Sequence, residues 1–172
     1  GQRLGEVFDG TGCCASIENR GVGIAGSTVQ LLGAGGAGSA IAVEMLARAP
    51  ATLRIHDPDT DRLETLTARL EKLNAPVKIE AGFGPADILV NASPVGMQAP
   101  DDCPVPASYL KPDLVVMDCV IEPDPTRLLR LAREAGSLTI GGWEMFDSQI
   151  DAVCDFFTHV NEGKIGDVIF PG

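Results

Sequence analysis

The sequence predicts an α/β fold, a doubly wound parallel sheet with flanking helices and a long C-terminal helix. Three observations carry that prediction. Between residues 27 and 118, short aliphatic runs alternate with longer segments of helical periodicity, the pattern of repeated βαβ units. The runs 87–91 and 114–118 are nearly continuous in apolar character, as strands covered on both faces must be. A glycine-rich turn, Gly33-Ala34-Gly35-Gly36-Ala37-Gly38, stands where the first run ends and the first helical pattern begins.

Ser27-Thr28-Val29-Gln30-Leu31-Leu32 reads as the first strand. From Gly36 to Ala49, Ile41, Met45 and Leu46 recur at helical spacing, and Pro50 ends the helix because its ring cannot continue the ladder. Thr52-Leu53-Arg54-Ile55-His56 is the second strand. Asp59 is placed to cap a helix whose apolar residues Leu63, Leu66, Leu70 and Leu73 recur at steps of three and four, with Asn74 as its stop. Val77-Lys78-Ile79, Asp87-Ile88-Leu89-Val90-Asn91 and Leu114-Val115-Val116-Met117-Asp118 follow as strands, the last two at the sheet centre. After Pro125, the set Leu128, Leu129, Leu131 and Ala132 predicts a helix stopped by Gly136, and Leu138-Thr139-Ile140 a last short strand. From Trp143 onward, Phe146, Ile150, Val153, Phe157 and Val160 share one helical face while Asp147, Asp151 and Asp155 share another, which predicts a long amphipathic helix. The proline-rich stretch Ala99 to Pro106 is a loop of the kind that borders ligands.

A chain of 172 residues fits one domain with an appended segment, at about 150 residues per domain. Its 45% hydrophobic and 22% charged content excludes disordered and collagenous classes. With Lys+Arg 13 against Asp+Glu 24, the net charge of −11 repels phosphate backbones and anionic lipid, so neither nucleic acid nor a membrane is an expected partner. No apolar run approaches the roughly 18 residues of a membrane span, and the N-terminus lacks a signal-peptide stretch, which makes a cytoplasmic location the expectation. The five cysteines show no CxxC spacing, so neither a disulfide framework nor a metal site is expected, and Cys13 and Cys14 are read as helix packing.

The turn at 33–38 is a GxGxxG between a strand and a helix, which makes the expected domain, residues 1–141, Rossmann-like and NAD(P)-binding. Its glycines allow a tight bend and let backbone N–H groups at a helix N-terminus approach a pyrophosphate. Gly33, Ala34, Gly35, Gly36, Ala37 and Gly38 are therefore cofactor-binding candidates. Asp57, at the end of the second strand and 19 residues past Gly38, is spaced to accept from adenosine ribose hydroxyls. The following Pro58, Asp59, Thr60 and Asp61 offer no cation to a 2′-phosphate, so NAD is expected over NADP. The plainer reading keeps Asp57 and Asp59 as turn and cap residues.

Three further stretches carry a resemblance. Asn91-Ala92-Ser93-Pro94-Val95-Gly96-Met97 follows the fourth strand, Asp118-Cys119-Val120-Ile121-Glu122-Pro123-Asp124-Pro125-Thr126-Arg127-Leu128-Leu129 the fifth, and Gly142-Trp143-Glu144-Met145-Phe146-Asp147-Ser148-Gln149 opens the last helix. With the glycine turn and Asp9-Gly10 and Gly12 near the start, they resemble, in the same order, the shikimate dehydrogenase family, whose members exchange a hydride between a nicotinamide and shikimate, quinate or their ketones. The resemblance implies that Asp9 is the catalytic aspartate, partnered by a lysine in an N-terminal substrate domain. It implies that Gln149 reaches a substrate hydroxyl, that Ser93 stands where the family usually has threonine near the nicotinamide, and that Cys119 and Gly142 offer backbone contacts to that ring. On this reading the chain is the cofactor half of a two-domain enzyme, and residues 142–172 form a helical segment returning toward the substrate domain.

Two departures bear on the substrate. Val7-Phe8 replace the polar pair usual before the aspartate, and Ile121 replaces the usual substrate-facing tyrosine. Loss of polar partners changes discrimination among polyols, so another ring acid or alcohol is an equal reading. A non-catalytic nucleotide-binding or regulatory module on the same fold is the alternative function, against which Asp9 and Gln149 count. His56 and His159 have no nucleophile or acid motif around them and are read as fillers.

Overall fold

The computed structural model describes residues 8–161. Helix α1 (Asp9–Asn19) precedes a run of alternating elements: β1 (Thr28–Leu32), α2 (Gly36–Ala47), β2 (Thr52–His56), α3 (Thr60–Glu71), β3 (Lys78–Ala81), β4 (Ile88–Asn91), β5 (Val115–Asp118), α4 (Arg127–Glu134), β6 (Leu138–Ile140) and α5 (Gly142–Asn161). All five strand pairings are parallel, in the order β3-β2-β1-β4-β5-β6. The Rossmann-like doubly wound sheet expected from the sequence is therefore the architecture.

Alternation along each strand sorts side chains onto two faces. Val29, Leu31, Leu53, Ile55, Ile88, Val90, Met117 and Ile140 turn toward α1, α2 and α3, where Cys13, Cys14, Ile17, Ile41, Met45, Leu66 and Leu70 complete one buried cluster. Leu32, Leu89 and Val116 turn the other way, onto Leu128, Leu129 and Ala132 of α4 and onto Val105, Leu110 and Leu114 of the preceding loop. Asp59 caps α3 by accepting from Arg62 N–H, and Thr126 caps α4 by accepting from Leu129 N–H, as isolated helix starts require.

The connection from β3 to β4 spans only residues 82–87 and has no helix. Gln30, fully buried on β1, holds it: its amide nitrogen donates to Gly82 O at 3.1 Å and Arg54 O at 3.3 Å, and its amide oxygen accepts from Gly84 N–H at 3.1 Å. Arg54 donates to Pro85 O and Tyr109 donates to Gly84 O, each from the same side of the sheet. A polar residue inside a sheet is tolerable because every contact it makes is a backbone hydrogen bond.

Two expectations are corrected. Helix α3 ends at Glu71, and Asn74 takes a left-handed φ of +50°, so Leu73 leaves the apolar stripe and is exposed. Among the described residues of α5, Gly142 and Met145 are buried, while Trp143, Phe146 and Ile150 are 46%, 42% and 41% exposed. The reason is α1, which packs against α5 through Gly12, where a Cβ would lie 2.8 Å from Met145 O and 3.0 Å from Gln149 Cβ. Arg20 pairs with Glu144 at 2.6 Å along the same seam. The side chains of Asp151, Asp155, Phe157, His159 and Val160, together with Val7 and the segment beyond Asn161, lie outside the described residues. Among the described residues, no helix is long and apolar enough to cross a membrane.

Candidate active site

The strand order reverses between β1 and β4, so the loops leaving their C-terminal ends diverge and open a crevice. The glycines of the first loop divide the work. Gly33 has φ +102°, and a Cβ there would stand 2.8 Å from Ala92 O, so the bend needs glycine for its conformation and for the approach to the β4 loop. Gly38 is buried under the turn, where a Cβ would fall 2.0 Å from Gly33 O. Gly35 and Gly36 differ: a Cβ on either meets nothing within 4 Å. The fold does not demand their bareness. No side chain caps α2, whose N-cap is Gly35, so its first backbone N–H groups and the positive end of its dipole border open space suited to an anion such as pyrophosphate.

At one end of the crevice stands Asp57. Its Oδ2 accepts from Ala34 N–H at 2.7 Å and its Oδ1 from Asp59 N–H at 2.8 Å. The carboxylate is thus a turn residue after all, and one held in place at the wall of a cavity of about 470 Å³ that also reaches Gly35, Ser93 and Pro104, the last from the proline-rich loop. Arg62 lines the same cavity and pairs with Asp59 at 3.0 Å. Sequence reasoning stopped at Asp61 and missed it. The available signal was position, since the third residue after an N-cap faces back toward the preceding loop. His56 is exposed, its ring edge-on to Phe83.

Toward the other end, Ser93, Ala37 and Cys119 line a hollow of about 240 Å³. Ala37 and Cys119 are shared with a third hollow, of about 180 Å³, which gathers Asp9, Ile121, Gly142 and Gln149. The three cavities share walls and form one groove along the C-terminal edge of the sheet. Asp9 reaches it because α1 is wedged between two helices: Gly12 lies on α5, and a Cβ on Gly10 would be 2.6 Å from Ala40 O of α2. Gly142 lets α5 start against the β5 loop, where a Cβ would be 2.6 Å from Val120 O. The Gln149 amide oxygen is buried and has no hydrogen-bond partner among the described residues. A ligand donor would satisfy it.

Beneath the middle hollow lies a buried polar network. Asn91 and Asp118 are paired across β4 and β5, and both are fully buried. Asn91 accepts from the Ser93 hydroxyl at 2.6 Å and donates to Asp118 at 2.9 Å. Asp118 also accepts from Val120 N–H at 3.1 Å and from the Thr126 hydroxyl at 2.6 Å. Burial pushes its carboxyl above the usual carboxylate range, against the pull of these three donors. Cys13 and Cys14 are packing residues: burial pushes the Cys14 thiol up to about 12, and contact with Cys119 and burial raise Cys13. Among the described residues, no group of three or more metal-ligating side chains is clustered.

No protein-family model matches the chain. A shikimate dehydrogenase (NADP+) of Symbiobacterium thermophilum is 36% identical over 162 residues, which cover 87% of this chain and 55% of the relative. A shikimate 5-dehydrogenase of Listeria monocytogenes, solved with shikimate and NAD, superposes with a TM-score of 0.81 at 27% identity, over 90% of this chain and 59% of that one. A quinate dehydrogenase of Corynebacterium glutamicum, solved with NAD, gives 0.76 at 29% identity, over 86% and 56%. The chain spans about half the length of the curated relatives it matches.

Proposed function

The chain belongs to the shikimate dehydrogenase family, and from that premise we propose that its groove holds a nicotinamide dinucleotide for hydride exchange with shikimate, quinate or a related ring alcohol or ketone. The observation that carries the proposal is the continuity of the groove, which runs from Asp57 past the bare Gly35 and Gly36 to Ser93 and Cys119 and ends at Asp9 and Gln149. Bound there, the cofactor supplies the hydride chemistry. The chain's own residues do the rest. Backbone N–H groups at the start of α2 hold the pyrophosphate, and the Asp57 carboxylate accepts from ribose hydroxyls with the lone pairs its two backbone donors leave free. Ser93 and the backbone at Cys119 and Gly142 receive the nicotinamide end. Gln149 accepts from a substrate hydroxyl, and Asp9 holds the proton that the reacting oxygen gains or loses, together with a lysine from a companion substrate domain toward which α5 leads. Ile121, Met145 and Phe146 make this chain's wall of the substrate hollow largely apolar, which supports a ring with fewer hydroxyls on that edge.

The adenosine end supports NAD over NADP. A 2′-phosphate would face the fixed Asp57 carboxylate, and the nearby cation, Arg62, is already paired with Asp59. Calorimetric titration of the chain tests this: NAD is expected to bind more tightly than NADP, and Asp57→Asn to narrow the gap by about 1.5–3 kcal/mol, the worth of a hydrogen bond to a charged group. Equal affinities in the unmodified chain would overturn the preference. For Asp9, the expected result in a polypeptide that also carries the substrate domain is a fall in kcat of about 10²-fold or more on Asp9→Asn, with NAD affinity unchanged, since a proton-handling group acts in the transition state. Full turnover by that variant would remove Asp9 from the chemistry.

A further inference from the structure

One buried ionisable group is left unused by this mechanism. Asp118 is inaccessible to solvent, and its partners are the neutral donors Asn91, Val120 and Thr126. No cation among the described residues pairs with it. The buried Thr126 hydroxyl accepts Leu129 N–H, and Asp118 Oδ2, 2.6 Å away, is the acceptor in reach of its own proton among the described residues. Burial works against the charge, and the three donors aimed at the carboxyl oppose burial by stabilising its ionised form. This leaves a negative charge, uncompensated by any positive one, at the end of β5. It is one hydrogen bond from Val120 and two from Ser93, both of which line the middle hollow of the groove.

A charge in such a place is felt. Burial removes the water that would screen it, and the hollow's walls, Ala37, Ala92, Pro94 and Val120, are largely apolar. An oxidised nicotinamide ring carries one positive charge that the reduced ring lacks. Resting on the proposed cofactor assignment, we infer that Asp118 is a positioning residue whose buried carboxylate makes this groove prefer the oxidised over the reduced dinucleotide. Its hydrogen bonds also tie the Ser93 loop to the start of α4, so the same group sets both the shape and the potential of the nicotinamide end. In the exchange, ketone, proton and reduced nucleotide become alcohol and oxidised nucleotide. The carbonyl carbon takes the hydride, the oxygen takes the proton, and the ring is left cationic. Tighter holding of the cationic ring draws the bound equilibrium toward the alcohol.

The test is calorimetric titration of the chain with NAD and NADH, before and after Asp118→Asn. The variant keeps the oxygen that accepts from Asn91 and Val120, and its amide can donate to Thr126 Oγ1. The ratio of NADH to NAD dissociation constants is expected to fall on the order of tenfold, the size of one buried charge acting at an effective dielectric of about 20. Affinity losses equal for both forms, or no change, would mean that Asp118 only braces the loops and would overturn the inference while leaving the cofactor assignment intact. If the unmodified chain binds neither nucleotide, the cofactor assignment fails and this inference with it. A second measurement needs no variant: in carbon-13 aspartate-labelled chain, the Asp118 carboxyl resonance, assigned through its backbone, is expected at the ionised position at pH 7. A neutral carboxyl there would overturn the inference even if Asp118→Asn failed to fold.

Discussion

Gly35→Val is expected to abolish dinucleotide binding and to leave the fold standing. The two halves of this result have separate causes. A Cβ at Gly35 meets no protein atom within 4 Å, so the side chain enters empty space and creates no strain in the core. The cost to stability is that of a poor N-cap residue, about 1 kcal/mol, or roughly 2–4 °C in Tm for a domain of this size. The same empty space is where a pyrophosphate must lie to reach the N–H groups of α2, and a branched side chain fills it. Affinity for NAD is expected to drop by about 100-fold or more, the equivalent of roughly 3 kcal/mol. Calorimetry for binding and a thermal melt for stability read the two effects independently. A folded Gly35→Val chain with unchanged affinity would sink the assignment of the turn.

Gly38→Ala, three residues along the same turn, gives the opposite signature. A Cβ there falls 2.0 Å from Gly33 O and 2.8 Å from Gly33 C, both backbone atoms that cannot rotate away. Helix α2 and the end of β1 must separate to admit one methyl group. Such overpacking costs about 3 kcal/mol or more, an expected fall in Tm of roughly 6–12 °C. Binding weakens as a consequence of the displaced turn, not as the primary effect. A melt within a degree or two of the unmodified chain would show that α2 shifts freely, and the close-packing role of Gly38 would be wrong. Together the two substitutions would separate a glycine kept bare for a ligand from a glycine that the fold needs, a distinction invisible in the string of letters.

Much of the architecture was readable along the chain because its causes are local. Period-two and period-3.6 patterns, the capping Asp59, and the stops at Pro50 and Gly136 depend on neighbours within a few residues, and each element they predict is present with ends that coincide or shift by one or two residues. The glycine turn was legible for the same reason, and so was Asp57, whose spacing from the turn reflects one helix and one strand of ordinary length. Asp9 and Gln149 were legible only by family resemblance, since nothing in their own surroundings marks them.

What stayed hidden depended on groups brought together from distant parts of the chain. Gln30 sits in an apolar strand without any sign that it will carry the β3–β4 connection, because its partners lie 24 to 54 residues away. The outward turn of Trp143, Phe146 and Ile150 could not be read from their spacing: periodicity shows that a face exists, but α1 packs on the other side, burying Met145 and half-burying Gln149. Arg62 and Asp118 complete the contrast. A charged side chain in sequence is only a charge. Whether it is paired, as Arg62 is with Asp59, or held without a counterion, as Asp118 is among Asn91, Val120 and Thr126, follows from which backbone and side-chain groups the sheet delivers to the same few ångströms. Electrostatic interactions fall with distance in space and take no account of separation along the chain, so the sequence could specify this groove without displaying it.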